Sequence, residues 1–309
     1  MVGVLTSLLS LRSHERVRWR VRLLGERRGY YHFGPARLDS GDLFGLFSQK
    51  AMVAQRDTFI VYPRVYSMEA LGLPAKEPFG DTRAALQILE DPSRTVGIRD
   101  FQAGDPLRRV HWKATARRQQ LQVRVYQPTT HQQLLLCLNV ATLPYQWQGS
   151  IPELLEQVVS VAGSLATYGI EHRYEVGLVA NGCWPHSDQP LKVLPGRSPY
   201  QLAHILEALA AVSPLPTSRL ADLLLRSSAR LPWGATLAVV SGVVDDELLE
   251  ALLRLQEAGR RIVLFSLDGR DDSQTAAEGA VRESSLLCYR LASRPGEVPL
   301  RFALLEVPA

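Results

Sequence analysis

The chain has 309 residues, of which 46% are hydrophobic and 21% are charged, and it carries a formal net charge of +4. This composition is ordinary for a globular protein, and the length is sufficient for two domains. No segment reaches the roughly 18 apolar residues that a membrane-spanning helix needs, and the three cysteines lack the spacing of a zinc site.

The first 63 residues have the pattern of antiparallel β structure. Apolar residues alternate with arginines over 16–23, which predicts a strand with one buried face and one basic face. Residues 25–29 are typical of a hairpin loop, and 58–62 predict a further strand. We therefore predict an N-terminal, mainly antiparallel β-domain over residues 1–63.

The next segment, residues 64–96, has weak periodicity and contains several glycines and prolines. It is predicted to be a loop or linker that crosses the β-domain. Loops of this length are uncommon without a role, so a covering or mobile function is one interpretation.

Residues 97–127 are rich in arginine but contain only two acids, Asp100 and Asp105. Such charge density is unfavourable to bury, so the segment is expected at a surface or against an acidic partner. Gly104, Asp105 and Pro106 have the order of a flexible residue, an N-cap and a first helical residue, and they predict a short helix to Val110. Alternation after Leu121 predicts a strand that completes the β-domain.

The charged and aromatic residues of this segment are assigned to two roles. An ion-pair network between the arginines and the two acids explains the charges as well as an active site does. The residues assigned to such a structural role are Arg99, Asp100, Gly104, Asp105, Pro106 and His111. The residues assigned to partner binding, as a basic surface with an aromatic anchor, are Arg108, Arg109, Trp112, Lys113, Arg117 and Arg118.

The run GIRDFQAGDPLRRVHWKATAR, Gly97 to Arg117, resembles the signature of the bacterial domain of unknown function 58 family. Residues Arg27 to Phe47 resemble the first block of that family and depart from it at Leu43, where proline is usual. The resemblance implies a partner of the MoxR-type AAA ATPase class, at or near the cytoplasmic face of the membrane.

Residues 128–309 alternate between apolar strands and amphipathic helices, which predicts a doubly wound, mostly parallel sheet with helices on both faces. This half resembles a von Willebrand factor A-like domain, so the whole chain is assigned to the α/β class with an N-terminal β-domain. The main predicted strands are 134–138, 176–180, 237–240 and 262–267.

The same resemblance places the metal-coordinating positions of such domains at Asn139, Ala141, Leu143 and Ser241-Gly242. The side chains there that carry oxygen atoms are Asn139, the neighbouring Thr142, and Ser241. A hard cation such as Mg²⁺ needs several oxygen ligands, usually including carboxylates. These three side chains offer only neutral oxygens, so we expect a degenerate site with no metal and no cofactor. The carboxyl ends of the strands would still form an edge at which a protein could dock.

These observations favour a non-enzymatic scaffold or adaptor in the cytoplasm, or at the inner face of the plasma membrane with other membrane-associated partners. The sequence contains no nucleophile elbow, P-loop, HExxH or GxGxxG motif. Two alternatives stay open. One is a hydrolase-like enzyme centred on Asp105 and His111, and the other is a module that binds nucleic acid or anionic lipid, although specific nucleic-acid recognition is not expected.

Overall fold

A computed structural model gives the fold of most of the chain. It describes residues 6–12, 14–42, 44, 46–74, 78–79, 90–102, 105–128, 133–185, 187, 189–229, 231–232, 234–267, 286–292 and 300–304. At 90–96, 108, 126–128 and 146 only the backbone is described. None of the helices in these ranges combines the length and the apolar composition that a membrane crossing requires.

The N-terminal part consists of antiparallel strand pairs. Within the described residues, β1 pairs with β4, β2 pairs with β3, and β5 pairs with β6. The short helix α1 lies in the connection between β5 and β6. The elements are β1 (Gly29–Phe33), β2 (Ala36–Gly41), β3 (Ser48–Val53), β4 (Asp57–Val61), β5 (Glu90–Asp100), α1 (Trp112–Arg118) and β6 (Gln122–Pro128).

The C-terminal part is built on a seven-stranded sheet in the order β13-β12-β11-β10-β7-β8-β9. The five central strands are parallel, and the two edge strands, β9 and β13, are antiparallel to their neighbours. The elements are β7 (Gln133–Leu138), α2 (Pro152–Glu171), β8 (Glu175–Cys183), β9 (Pro190–Gly196), α3 (Gln201–Ala211), α4 (Leu220–Ser228), β10 (Thr236–Ser241), α5 (Asp246–Glu257), β11 (Arg261–Ser266), β12 (Leu287–Leu291) and β13 (Phe302–Leu304).

Both faces of this sheet are buried because helices cover each of them. Successive side chains of each strand point to opposite faces, so they belong to two different cores. In β7, Leu134, Leu136 and Leu138 belong to the core that includes α2 and α3. Leu135 and Cys137 belong to the core that includes α4 and α5. The predicted arrangement of an antiparallel β region followed by a mostly parallel sheet with helices is therefore confirmed.

Arg28, immediately before β1, joins the N-terminal part to the helices of the sheet. Its Nε lies 3.0 Å from Oε1 of Glu156 in α2, and its Nη1 donates to the carbonyl of Leu209 in α3 at 2.6 Å. The carbonyl of Val212, the C-cap of α3, accepts a longer bond of 3.4 Å. Arg28 thus supplies donors to carbonyls that a helix end leaves without intrahelical partners.

The strand predicted over 16–23 is wrong. The structure has no strand there, and Val17, Trp19, Val21 and Leu23 are all exposed. β1 pairs with β4 rather than with this segment. Alternation selects a face, but a strand also needs a partner and a surface to cover, and neither is present here among the described residues.

The segment predicted to cross the β-domain as a loop instead packs on the C-terminal sheet. Met68, Leu71, Leu73 and Phe79 are buried in the same core as α2. The amide of Phe302, the first residue of the edge strand β13, donates to the carbonyl of Leu71 at 2.7 Å. The end of the predicted loop, from residue 90, is part of β5.

The close approach of this segment to β13 requires a glycine. Gly72 has a φ of +69°, and a Cβ at this position would lie 3.0 Å from the carbonyl oxygen of Phe302. A residue with a side chain would therefore be strained both by its own backbone and by this neighbour.

Candidate functional site

The arginine-rich signature folds as the connection between β5 and β6. A short 3-10 helix, Leu107–Arg109, is followed by α1, and the amide of Phe101 closes the hairpin by donating to the carbonyl of Leu121 at 2.9 Å. The predicted short helix thus corresponds to the 3-10 helix, whereas α1 was not predicted. Gly104 lies outside the described residues.

Gln122, at the start of β6, is fully buried and joins three parts of the signature. Its Nε2 donates to Oδ1 of Asp100 in β5 at 2.5 Å, and its Oε1 accepts from Nη1 of Arg118 in α1 at 3.3 Å. Its backbone amide donates to Oγ1 of Thr115 at 3.0 Å, and its carbonyl accepts from the amide of His111 at 2.8 Å. The hydrogen bonds of Gln122 therefore fix the position of α1 relative to β5 and β6.

Asp105 forms an ion pair with Arg99 rather than capping a helix. Nη1 and Nη2 of Arg99 each lie 2.7 Å from a different carboxylate oxygen, and the amide of Gln102 donates to the same carboxylate at 2.9 Å. The hydrogen bonds from Arg99, and then that from Gln102, hold the pKa of Asp105 below its usual value.

The predicted N-cap role of Asp105 is wrong, because the N-cap of the 3-10 helix is Pro106 and no side chain caps it. Arg109 is close enough for its charge to lower the pKa of Asp105 further. The side chain of Arg108 lies outside the described residues. In this ion-pair network the principal partner of Asp105 is therefore Arg99.

His111 has a capping role. Its Nδ1 accepts a hydrogen bond from the amide of Ala114 at 3.1 Å, which satisfies a donor at the start of α1. Among the described residues no hydrogen bond joins His111 to Asp105, whose oxygens are occupied by Arg99 and Gln102. The pair proposed for a hydrolase-like centre is thus engaged in separate local contacts.

The outward face of α1 combines an exposed aromatic ring with positive charge. Trp112 is 66% exposed, and Lys113, Arg117 and Arg118 are also exposed. Lys113 and Arg117 are one helical turn apart, so they occupy the same side of α1. Arg118 differs from them because it also reaches Gln122. Arg109 is half-buried.

A second polar cluster lies at the carboxyl ends of the parallel strands. Nδ2 of Asn139, after β7, donates to Oγ of Ser241 in β10 at 2.9 Å. Oδ1 of Asn139 accepts from Nδ2 of Asn181 in β8 at 2.8 Å and from the amide of Ala141 at 3.1 Å. Oδ1 of Asn181 accepts from the amide of Val140 at 2.8 Å. We call Asn139, Asn181 and Ser241 the strand-end network.

This network bridges β7 and β10, where the sheet order reverses and where open α/β sheets commonly bind ligands. Asn139 and Ser241 are buried, as is Thr142, whose Oγ1 accepts from the amide of Ile151 at 2.8 Å. The polar atoms are therefore largely committed to one another. In the described part of the chain, no group of three or more His, Cys, Asp or Glu side chains could hold a metal ion.

Comparison with protein families shows to which family this chain belongs. A family described as "Protein of unknown function DUF58" matches residues 97–283, which is more than half of the chain. The chain belongs to the DUF58 family. The DUF58 match begins at Gly97 in β5 and extends beyond β11, so it includes both the signature and the strand-end network.

A curated protein related to this DUF58 chain is the uncharacterized protein YeaD of Bacillus subtilis (strain 168). The two are 26% identical over 264 residues, which cover 83% of this chain and 60% of YeaD. The chain therefore spans about 60% of the length of that relative.

Sequence reasoning missed the burial of Gln122, whereas it placed Asn181 at the carboxyl end of a strand without assigning it hydrogen bonds to Asn139. Gln122 lies in a strand whose alternation assigns it to the solvent side, yet it is buried because Asp100 and Arg118 supply its polar partners. Asn181 follows an apolar run in the same way as Asn139 does, and this parallel position is why both were expected at the edge formed by the carboxyl ends of the strands.

Proposed function

We propose that this DUF58 protein is a non-enzymatic scaffold or adaptor that binds an acidic protein surface through the exposed face of α1. The observation that carries the proposal is the exposure of Trp112 beside Lys113 and Arg117 on α1. This helix is held on β6 by the hydrogen bond between Thr115 and Gln122. Exposed aromatic and basic side chains together are typical of protein interfaces.

The hydrogen bonds that fix α1 favour a role in binding a partner, because a surface that is ordered before binding loses less entropy on association. The helix is fixed at its start by His111 and at its base by Gln122. In the same signature, Asp105 and Arg99 neutralise each other. The outward positive charge of the signature therefore includes that of α1, which contains no acidic residue.

The C-terminal half is proposed to be a von Willebrand factor A-like domain with a degenerate metal site. The parallel strands and the position of Asn139, Thr142 and Ser241 at their carboxyl ends support this assignment. In such a domain the hydrogen bonds of the strand-end network would take the place of metal coordination.

The proposed partner is a MoxR-type AAA ATPase, which the family resemblance suggests, acting in the cytoplasm or at the inner face of the plasma membrane. A basic helix on the adaptor would accelerate the encounter with an acidic patch on the ATPase. Trp112 would be the apolar anchor at the centre of that contact.

The test is a binding titration of the chain against a MoxR-type ATPase from the same organism, at about 0.1 M and about 1 M salt. The variant Lys113→Glu/Arg117→Glu should slow association about 10-fold or more at the lower salt, and it should show a flatter salt dependence. Arg118 is left intact because it contacts Gln122. The matched control is Lys192→Glu/Arg226→Glu, which makes the same charge change on β9 and α4.

Equal association rates for the parent and the Lys113→Glu/Arg117→Glu variant would remove α1 from the interface. Trp112→Ala should speed dissociation with little effect on association, because the indole contributes contact area rather than long-range attraction. Unchanged dissociation would show that Trp112 is not an anchor.

A polyanion-binding function is the second candidate, and one observation favours it. Arg16, Arg18, Arg20 and Arg22 are exposed in an unpaired segment that precedes β1. Binding to duplex DNA or to anionic vesicles would then fall steeply with salt as counterions are released. Replacement of these four arginines by glutamine would abolish such binding but would leave the contact of α1 with a protein partner.

A further inference from the structure

A pair of aromatic side chains is exposed at the same edge of the sheet as the strand-end network. Tyr145 and Trp147 follow β7, are 60% and 82% exposed, and stack with ring centroids 6.0 Å apart and an interplanar angle of 17°. Their contact with each other leaves most of both rings in water. Exposed aromatic surface of this kind is a typical centre of a protein interface.

The same edge of the sheet also carries several carboxylates. Three helices, α2, α4 and α5, begin at this edge, and Asn181 locates the start of α4 there because its carbonyl accepts from Oγ1 of Thr217 at 3.0 Å. Arg219, the N-cap of α4, pairs with Glu247 in the first turn of α5. The exposed carboxylates of these helix starts are Glu153, Asp222, Asp245, Asp246 and Glu247.

The chain itself carries a surface of the opposite character. The face of α1 presents Trp112, Lys113 and Arg117, without any acidic residue in the helix. The chain as a whole has a net charge of +4. Two copies therefore repel each other on average, and the acidic edge is a place where a basic face of another copy is attracted.

We infer that the chain self-associates head to tail, with α1 of one copy docked on the Tyr145–Trp147 edge of the next. Lys113 and Arg117 face the carboxylates of the helix starts, and their cationic groups are placed to meet the aromatic faces of Tyr145 and Trp147. The contact is heterologous, because it joins two different surfaces. A dimer therefore keeps one free α1 and one free edge, and further copies can bind to either. This inference requires only the present chain and does not depend on the proposed ATPase partner.

Sedimentation equilibrium of the whole chain at about 0.1 M and about 1 M salt tests this association. The average mass should rise with protein concentration at the lower salt, and the rise should be much smaller at the higher salt. Trp147→Ser should lower the association constant without a change in charge. A monomeric parent over the full concentration range at the lower salt would overturn the inference.

Two complementary variants test the geometry. Lys113→Glu/Arg117→Glu removes the basic face, and Asp222→Lys/Asp246→Lys reverses the edge, so each should be monomeric alone. Their mixture should associate again, because the unchanged α1 of the second variant fits the unchanged edge of the first, and the two reversed surfaces also attract each other. The control Lys192→Glu/Arg226→Glu should associate as the parent does.

Failure of the two complementary variants to associate when mixed would overturn the head-to-tail geometry. Circular dichroism melts establish that each variant is folded. If a charge variant does not fold, Trp147→Ser and Trp112→Ser replace the pair, since both alter exposed side chains; loss of association in only one of them would contradict a contact that joins the two surfaces.

Discussion

Arg28 and Glu156 form an ion pair in which the side chain of Arg28 is 6% exposed and that of Glu156 is 42% exposed. Burial lowers the pKa of Arg28, and the charge of Glu156 partly opposes that effect. The pair links the strand β1 to α2, while the other donors of Arg28 bind the end of α3. Arg28 alone therefore contributes contacts from the start of β1 to two helices of the sheet.

Arg28→Met should destabilise the protein by about 1–3 kcal/mol, because the buried carbonyls at the end of α3 lose their donor. Arg27→Met is the matched control, since Arg27 is adjacent and exposed, and it should change stability by less than about 0.5 kcal/mol. Urea unfolding measures both. Equal losses in the two variants would show that the contacts of Arg28 contribute little.

Gln122→Glu should destabilise the signature by about 1–3 kcal/mol, because a buried carboxyl beside Asp100 cannot donate while it is ionised. Burial and the charge of Asp100 would raise the pKa of the introduced carboxyl in the folded state. Its penalty is therefore small below the unfolded pKa of about 4.3 and grows as the pH rises through the folded pKa.

The measurement for Gln122→Glu is the free energy of unfolding of the variant and the parent between about pH 4 and pH 8. Gln120→Glu, at an exposed position just before β6, is the control and should follow the parent. A difference between variant and parent that does not change with pH would show that the introduced carboxyl is not buried beside Asp100.

Asp105→Asn should reduce stability at neutral pH and should remove part of the acid dependence of the parent. The pKa of Asp105 is lowered in the folded state, so its stabilisation is present above the unfolded value of about 3.9 and is lost as the pH falls through the folded pKa. The unfolding curves of the variant and the parent should therefore converge in acid. Glu250→Gln, which breaks an exposed pair with Arg254, should have a smaller effect.

Millimolar Mg²⁺ should not raise the melting temperature. The oxygens of Asn139 and Ser241 take part in hydrogen bonds within the protein, and no carboxylate belongs to the strand-end network. A specific site would add about 2.7 kcal/mol at a hundredfold excess over Kd, which a thermal melt detects. An increase that disappears in Asn139→Ala would contradict this prediction.

The C-terminal sheet was predictable because its strands are buried on both faces and appear as continuous apolar runs, such as Leu134 to Leu138. The helices between them have clear caps, as at Asp245, whose side chain accepts from the amide of Leu248. In these elements the local pattern and the tertiary environment favour the same structure.

The N-terminal part was less predictable because its alternating pattern does not identify a partner. The segment from Val17 to Leu23 has a strand pattern but remains unpaired, whereas Leu71 lies in a segment of weak pattern and is fully buried. In the signature, the abundance of arginine was evident, but the burial of Gln122 depends on Asp100 and Arg118, which lie in other elements. Such pairing is a property of the tertiary fold rather than of any short window.

The burial of Met68, Leu71 and Phe79 against the sheet has a consequence for how the protein can be divided and made. A fragment that begins at residue 128 would keep all seven strands but would expose the apolar side chains that this segment covers, so it should aggregate when expressed alone. On the ribosome the segment emerges before the sheet, and the amide that binds the carbonyl of Leu71 belongs to Phe302. This side of the core can therefore close only after the chain has been synthesised as far as Phe302.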